Sequence, residues 1–258
     1  MGDDVKIRWQ RDGRTAALSL AAPPLNILDI AMLRELSAAF DAVEHDAAPP
    51  HVIVLRGDGA KAFSAGASVA DHTPDRVGEM LAAFHGALRA IPRMQPVVVA
   101  AVRGLCLGGG WELASACDLV IASESAVFSQ PEIDLACFPP VASALYPRIA
   151  GRHRAAEIVL LGGRFSAHDA ARFGLVNSVV PDAELDAAVA RVVETLASKS
   201  RAALAIAKRS IALGGAHAPD DAIAACERLY LDELVKTKDM EEGIRAFMEK
   251  RRPEWTDR

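Results

Sequence analysis

Apolar positions in this chain repeat with two different periods, and the alternation of those periods predicts its organisation. "VKIRWQ" and "TAALSL", joined by "RDGR", read as a β-hairpin with Asp-Gly at its turn. Over 30–45 the residues Leu33, Leu36, Phe40 and Val43 fall three or four apart, one buried helical stripe for which Asp29 is the N-cap. "HVIVL" is a short buried strand ended by "GDG". A second amphipathic helix over 74–91 carries Val77, Met80, Leu81, Phe84 and Leu88 on one face. "VVVAAV" at 97–102 is a β-branched strand followed by a glycine run and a helix, and "LVIAS" at 119–123 continues the alternation. Such alternation predicts an α/β fold whose sheets are covered by helices.

After about residue 140 the pattern turns helical, over 152–161, 166–173 with Ser166 as N-cap, 184–197, 201–213, 219–236 and 240–250. "GLVNSVV" is the only strand-like interruption there. The expected division is an α/β core holding the active site over 1–197 and a helical C-terminal region over 198–258. No internal repeat is visible, and no low-complexity segment beyond a general richness in alanine.

Composition narrows the function classes. The 258 residues are 51% apolar and 24% charged, enough for a sizeable core. A net charge of −5, with "KRR" at 250–252 the only dense basic cluster, argues against a nucleic-acid partner. Cys106, Cys117, Cys137 and Cys226 form no C-x-x-C pair; they read as buried apolar thiols in a reducing compartment. "MGDDVKIRWQ" has no apolar leader segment, and Lys6 stands where a myristoylation signal wants Ser or Thr. No apolar run approaches the ~18 residues of a membrane span. A soluble, cytoplasmic protein is expected. The seven histidines form no H-E-x-x-H and no ligand cluster, so no metal is expected; His72 and His85 flank a helix that could line a pocket.

Three stretches carry candidate chemistry. "GLCLGGGWEL" at 104–113 follows a strand and opens a helix, so its backbone N–H groups are unpaired and attract negative charge. It does not fit G-x-G-x-x-G, and close helix–strand packing is the alternative reading of its glycines. "FSAGAS" at 63–68 is a second small-residue loop; Ala70 breaks the nucleophile elbow G-x-S-x-G, which argues against Ser64 and Ser68 as nucleophiles. Two such loops can each lend one N–H to a single oxygen, an oxyanion hole in which one donor is typically worth ~2.7–4 kcal/mol. Glu112, and Glu132 in "FSQPEIDLACFPP", lie in mostly apolar stretches. Two carboxylates in one apolar pocket become one acid and one base. The alternative is two unrelated surface glutamates.

"FSAGAS", "AAVRGLCLGGGWELASACDLVIAS", "FSQPEIDLACFPP", "GLVNSVVP" and "EEGIRAFMEKRRP" occur in the order found in the enoyl-CoA hydratase/isomerase (crotonase) superfamily, which the whole chain resembles. The resemblance implies ββα units in two nearly perpendicular sheets, and a C-terminal helical region that assembles trimers, often paired into hexamers. It implies that Ala67 and Gly109 donate the two oxyanion-hole N–H groups to an acyl-CoA thioester. Glu112 and Glu132 would then deprotonate a water and supply the proton for the other carbon. Leu25, Lys61 and the backbone around Ala65, with Gly66 and Gly108, fall where the family grips coenzyme A. Lys250 matches a phosphate contact from a neighbouring subunit. No cofactor is implied beyond the coenzyme A of the substrate.

Departures from the family pattern are equally informative. Where hydratases commonly continue into I-P-G-A-G-G, this chain has "FPPVAS", so Pro140 replaces a glycine whose N–H helps hold the water, and proline has none. Ser68 replaces the usual Asp, and Ala70 the usual Lys. "PPLNILD", "DHTPD" and "PEIDLACFPPVA" resemble the branch that hydrates cyclic dienoyl-CoA esters such as cyclohexa-1,5-diene-1-carbonyl-CoA. A lining of Trp111, Phe138, Pro139 and Pro140 would suit a flat ring; the alternative is that these residues simply pack the core. The rival readings are a Δ3-Δ2 isomerase working with one glutamate and a non-catalytic or RNA-binding protein of the same fold.

Overall fold

The computed structural model describes residues 5–257; Met1–Asp4, part of the stretch read above as lacking a leader, and Arg258 lie outside the described residues. Its strands are β1 (Ile7–Asp12), β2 (Thr15–Leu20), β3 (Val52–Gly57), β4 (Ala62–Ser64) and β5 (Val97–Val102), then β6 (Leu105–Leu107), β7 (Leu119–Ser123), β8 (Val127–Ser129), β9 (Arg164–Ser166) and β10 (Ser178–Val180). Its helices are α1 (Ile30–Glu44), α2 (Val77–Ala90), α3 (Gly109–Ala116), α4 (Pro140–Ile149) and α5 (Arg152–Leu161), then α6 (Ala167–Arg172), α7 (Leu185–Ala197), α8 (Arg201–Ala216), α9 (Pro219–Asp232) and α10 (Lys238–Met248).

β1 and β2 form the expected hairpin, with Ile7 opposite Leu20 and Asp12 opposite Thr15. From β2 onward the first sheet is parallel, in the order β1-β2-β3-β5-β7-β10. A second sheet runs β4-β6-β8-β9. From β3 to β8 the strands of the first sheet alternate with short strands of the second: β3 is followed by β4, β5 by β6 and β7 by β8. These short strands escape sequence reading because three residues carry no periodicity. At the β5–β6 turn Gly104 has φ +66°, and a Cβ there would stand 2.3 Å from the Lys61 carbonyl, so successive units stack backbone against backbone.

Every residue of β5 is buried, as a parallel strand covered on both faces requires. One face contributes Val98, Ala100 and Val102 to the main core with α1 and α2; the other packs Val97, Val99 and Ala101 with Ile121 against Leu185, Ala188 and Val189 of α7. Asp29 caps α1 by accepting the Met32 N–H at 2.8 Å, and Ser166 caps α6 with Asp169 in a capping box.

Several boundaries differ from the sequence expectation. α4 was hidden by Pro139, Pro140 and Pro147, yet Pro140 occupies its first turn, where a missing N–H costs nothing. β9 is a second strand after residue 140. The helix expected over 219–236 ends at Asp232, and a 3-10 turn follows at Leu234–Lys236. Cys137 and Cys226 are half-buried rather than buried; Cys106 and Cys117 are fully enclosed.

The helices α8–α10 dock behind the first sheet through Lys208. Its buried ammonium donates to the Pro96 carbonyl and pairs with Asp118, each at 2.7 Å, while Asp118 also accepts the Val98 N–H at 2.7 Å. The chain end is strapped back: Asp239 accepts the N–H groups of Thr256 (2.7 Å) and Asp257 (3.0 Å), and the Trp255 indole donates to the Ser198 carbonyl (2.8 Å). These helices expose Ile211, Ile223, Leu231, Ile244, Phe247 and Met248. Among the described residues no helix is long and apolar enough to cross a membrane.

Lys208→Met removes the buried ammonium and leaves Asp118, itself open to solvent, without its partner. A loss of about 1–2 kcal/mol in unfolding free energy is expected from urea titration; native stability in the variant would show that the pair does not anchor α8.

Candidate active site

The glycine run and the small-residue loop meet at their backbones. Residues 25–28 stitch the loop in place: Leu25 O accepts the Ala65 N–H (2.9 Å), Leu28 N–H donates to Gly66 O (3.0 Å), and Leu28 O accepts from Ser68 (3.0 Å). Bracketed in this way, Ala67 turns its own N–H away from Leu28. The segment is held by buried Asn26, which bonds Ala22 N–H, Asp58 O and Ala62 O, a role the sequence reading did not assign. Ser64 is spent on the Gly66 N–H at 3.1 Å, a structural contact rather than a nucleophile's.

Each of the three glycines has its own reason. Gly108 has φ +51°, and a Cβ on it would lie 2.4 Å from Glu132 Oε1. Gly109 opens α3, and a Cβ there would lie 3.3 Å from Ala67 N and 3.2 Å from the Phe84 ring. Gly110 could not carry a Cβ within 2.5 Å of the Ser64 carbonyl. The N–H groups of Ala67 and Gly109 therefore stand side by side, and among the described residues neither has a backbone acceptor. Close packing accounts for Gly108 and Gly110, while Gly109 also sets its free N–H beside that of Ala67.

A cavity of about 300 Å3 opens in front of this pair. Ala67, Gly109, Glu112, Glu132, Phe138, Pro139 and Pro140 line it, as does His72. Helix α2, read in sequence as flanked by His72 and His85 and able to line a pocket, adds Val77, Met80, Leu81 and Phe84 to the wall. Ala136 and Cys137 complete the lining without any sequence signal that singled them out. His85 lies outside, in a neighbouring groove of about 490 Å3 that shares Pro140.

Glu112 is 3% exposed, and its Oε1 accepts the Ala142 N–H at 2.8 Å. Burial raises its pKa to about 7; the N–H groups of Ala142 and Val141 at the start of α4 oppose the rise, and the charge of Glu132 adds to it. Glu132 stands on a 3-10 turn, Pro131–Leu135, closed by Ala136 in the left-handed region at φ +58°. Burial raises its pKa too, while its own backbone N–H and the charge of His72 draw it down. Its Oε2 is enclosed without a hydrogen-bond partner. One cavity thus holds two carboxyls that favour keeping a proton, beside two N–H groups free to hold an oxygen.

Trp111 does not belong to this lining. Successive helix residues point about 100° apart, so with Glu112 facing the cavity Trp111 faces the core. There it is fully buried against Phe128, Tyr146 and Phe165. Leu25, Lys61 and Ala65 lie on the loops leading to the cavity rather than in its wall, Lys61 being exposed. Gly66 and Gly108 act through backbone shape. Lys250 is exposed beyond the end of α10 and does not line the cavity.

Comparison with known proteins bears on this arrangement. The family profile described as enoyl-CoA hydratase/isomerase matches residues 11–258. The chain is 36% identical to a cyclohexa-1,5-dienecarbonyl-CoA hydratase of Thauera aromatica, over 98% of this chain and 97% of that protein. It is 34% identical to a crotonyl-CoA hydratase of Syntrophomonas wolfei, with 94% and 95% covered. A crystal structure of an enoyl-CoA hydratase from Bacillus anthracis superposes with a TM-score of 0.92 at 32% identity, covering 98% of this chain and all of that one.

The Glu112 carboxyl makes a pH-dependent contribution to stability. Between 4.5 and about 7 the folded chain keeps a proton that the unfolded chain has released, so the contribution is full below pH 4.5 and lost as pH rises through 7. Glu112→Gln has no such loss. From pH 4.5 to about pH 8 its stability is expected to rise against the native protein by up to about 3 kcal/mol in urea titrations. A pH-independent difference would contradict the raised pKa.

Proposed function

The chain belongs to the enoyl-CoA hydratase/isomerase family, and on that premise we propose that it adds water to an α,β-unsaturated acyl-CoA whose acyl group is a cyclic diene. The observation that carries the proposal is the meeting of Glu112, Glu132, Ala67 and Gly109 in one cavity. In this reading the thioester oxygen accepts hydrogen bonds from Ala67 and Gly109. As charge moves onto it in the enolate, those fixed dipoles strengthen without reorganising. Two neighbouring carboxyls that share an apolar cavity do not both ionise readily, so one carries a proton and one is a base. Water oxygen bonds to the alkene carbon while its proton passes to the carboxylate. The neutral carboxyl gives its proton to the carbon beside the thioester, and the two glutamates exchange protonation states.

Phe84, Phe138, Pro139 and Pro140 give the cavity stiff walls, which suits a flat ring better than a flexible chain. The 36% identity to the Thauera aromatica protein points the same way. The chemistry needs no metal or redox cofactor beyond the coenzyme A of the substrate. We further propose that the apolar faces of α8–α10 pack against copies of the chain in a trimer or hexamer, which would bring a Lys250 to a neighbour's substrate, and that the four free thiols reflect a cytoplasmic setting.

Glu112→Gln and Glu132→Gln are each expected to lower hydration kcat by roughly 10²–10⁴-fold. Undiminished turnover in both variants would end the two-glutamate reading, and loss in only one would favour a one-glutamate isomerase. Steady-state kcat/KM for cyclohexa-1,5-diene-1-carbonyl-CoA is expected to exceed that for crotonyl-CoA; the reverse order would sink the ring proposal.

A further inference from the structure

Pro140 raises a question of water placement, since the position has no N–H to offer. The N–H groups that follow it do not fill the gap, because Ala142 donates to Glu112. A water enclosed in a protein typically makes about three hydrogen bonds, so the cavity wall must supply other partners. The polar side chains in that wall are His72, Glu112, Glu132 and Cys137. Cys137 turns its thiol to the Leu135 carbonyl. Glu132 Oε2 is enclosed and unpartnered.

His72 remains. It ends the short 3-10 turn Val69–His72, and its Nδ1 is 2.8 Å from the Ser68 carbonyl. A carbonyl only accepts, so Nδ1 carries the hydrogen, and in the neutral ring Nε2 is left with a lone pair. The adjacent Asp71 does not compete for the ring: it accepts the Ile30 N–H at 3.2 Å and holds the Arg76 guanidinium at 2.7 and 2.8 Å. The imidazole lines the same cavity as the Glu132 carboxyl.

We propose that His72 is a positioning residue for the nucleophile: its Nε2 accepts one hydrogen of the reacting water, in the place of the N–H that Pro140 lacks. This rests on the two-glutamate reading. The water gives its other hydrogen to the glutamate carboxylate, and its oxygen lone pair is thereby turned toward the alkene. His72 takes a hydrogen bond and no proton, so the balance of the reaction is unchanged.

Asparagine and glutamine separate the two ring nitrogens. His72→Asn can keep the bond to Ser68 but cannot reach as far as Nε2; His72→Gln reaches that far and gives up the bond to Ser68. Hydration of crotonyl-CoA and of the cyclic dienoyl-CoA is to be measured beside exchange of the α-hydrogens of butyryl-CoA into D2O. That exchange needs the oxyanion hole and a carboxylate base but no nucleophilic water. Expected for His72→Asn is a fall in hydration kcat of about tenfold or more with KM little changed and exchange preserved, since misplacing a reactant by about 1 Å can cost 10²-fold. His72→Gln is expected to retain most of the hydration rate. The proposal is overturned if His72→Asn hydrates at the native rate, if it loses exchange in step with hydration, or if His72→Gln is no better than His72→Asn. Undiminished hydration in the Glu112→Gln and Glu132→Gln variants would instead remove the reading beneath it.

Discussion

Backbone touching backbone, at distances that leave no room for a Cβ, is the constraint on which the rest of the site depends. Gly110 lies against the Ser64 carbonyl, Gly109 beside Ala67 N, and Gly108 beside the Glu132 carboxyl. A side chain at Gly109 or Gly110 would push apart two units of the sheet stack, and one at Gly108 would displace the Glu132 carboxyl. The same contact that seats α3 on β4 therefore brings two free N–H groups together. Close packing and the pairing of two free N–H groups are one arrangement here, and the conformational cost of three adjacent glycines is borne for both.

Charge follows from that geometry. Seating α3 against the loop buries Glu112 at the foot of α4, whose first N–H groups are its main hydrogen-bonding compensation. Trp111, Phe128 and Tyr146 form the dry wall behind it. Glu132 arrives from a different unit and meets the same dryness. Two carboxyls drawn from separate elements thus share one low-dielectric space, which favours the protonated form of each.

Much of this was legible in the chain. The long strands and α1 carry clear periods, and Asp29 and Ser166 cap the helices where they were expected to. Short strands were invisible because β4, β6 and β8 are held by their neighbours rather than by any pattern of their own. Among candidate site residues, Glu112 stood out as a charge among apolar neighbours, whereas Trp111 looked the same whether it faced substrate or core. Only the direction in which α3 points could separate those two cases. The α2 stripe shows the converse: Met80 and Phe84 satisfy a core pattern and also border the cavity. His72 carries no periodic signal at all, and its significance lies in which nitrogen is already engaged.

The cavity wall has a division of origin. The two carboxyls come from α3 and the 3-10 turn after β8, while the apolar wall is shared between α2 and the segment 136–140. α2 meets the rest of the site through side chains, not through the glycine contacts, with Phe84 against Gly109 the tight exception. Replacing Val77 or Leu81 would reshape the cavity and leave the paired N–H groups and the carboxyls in place. The shape of the cavity and its polar groups thus rest on separate elements, so the α2 side of the wall can change without displacing the carboxyls.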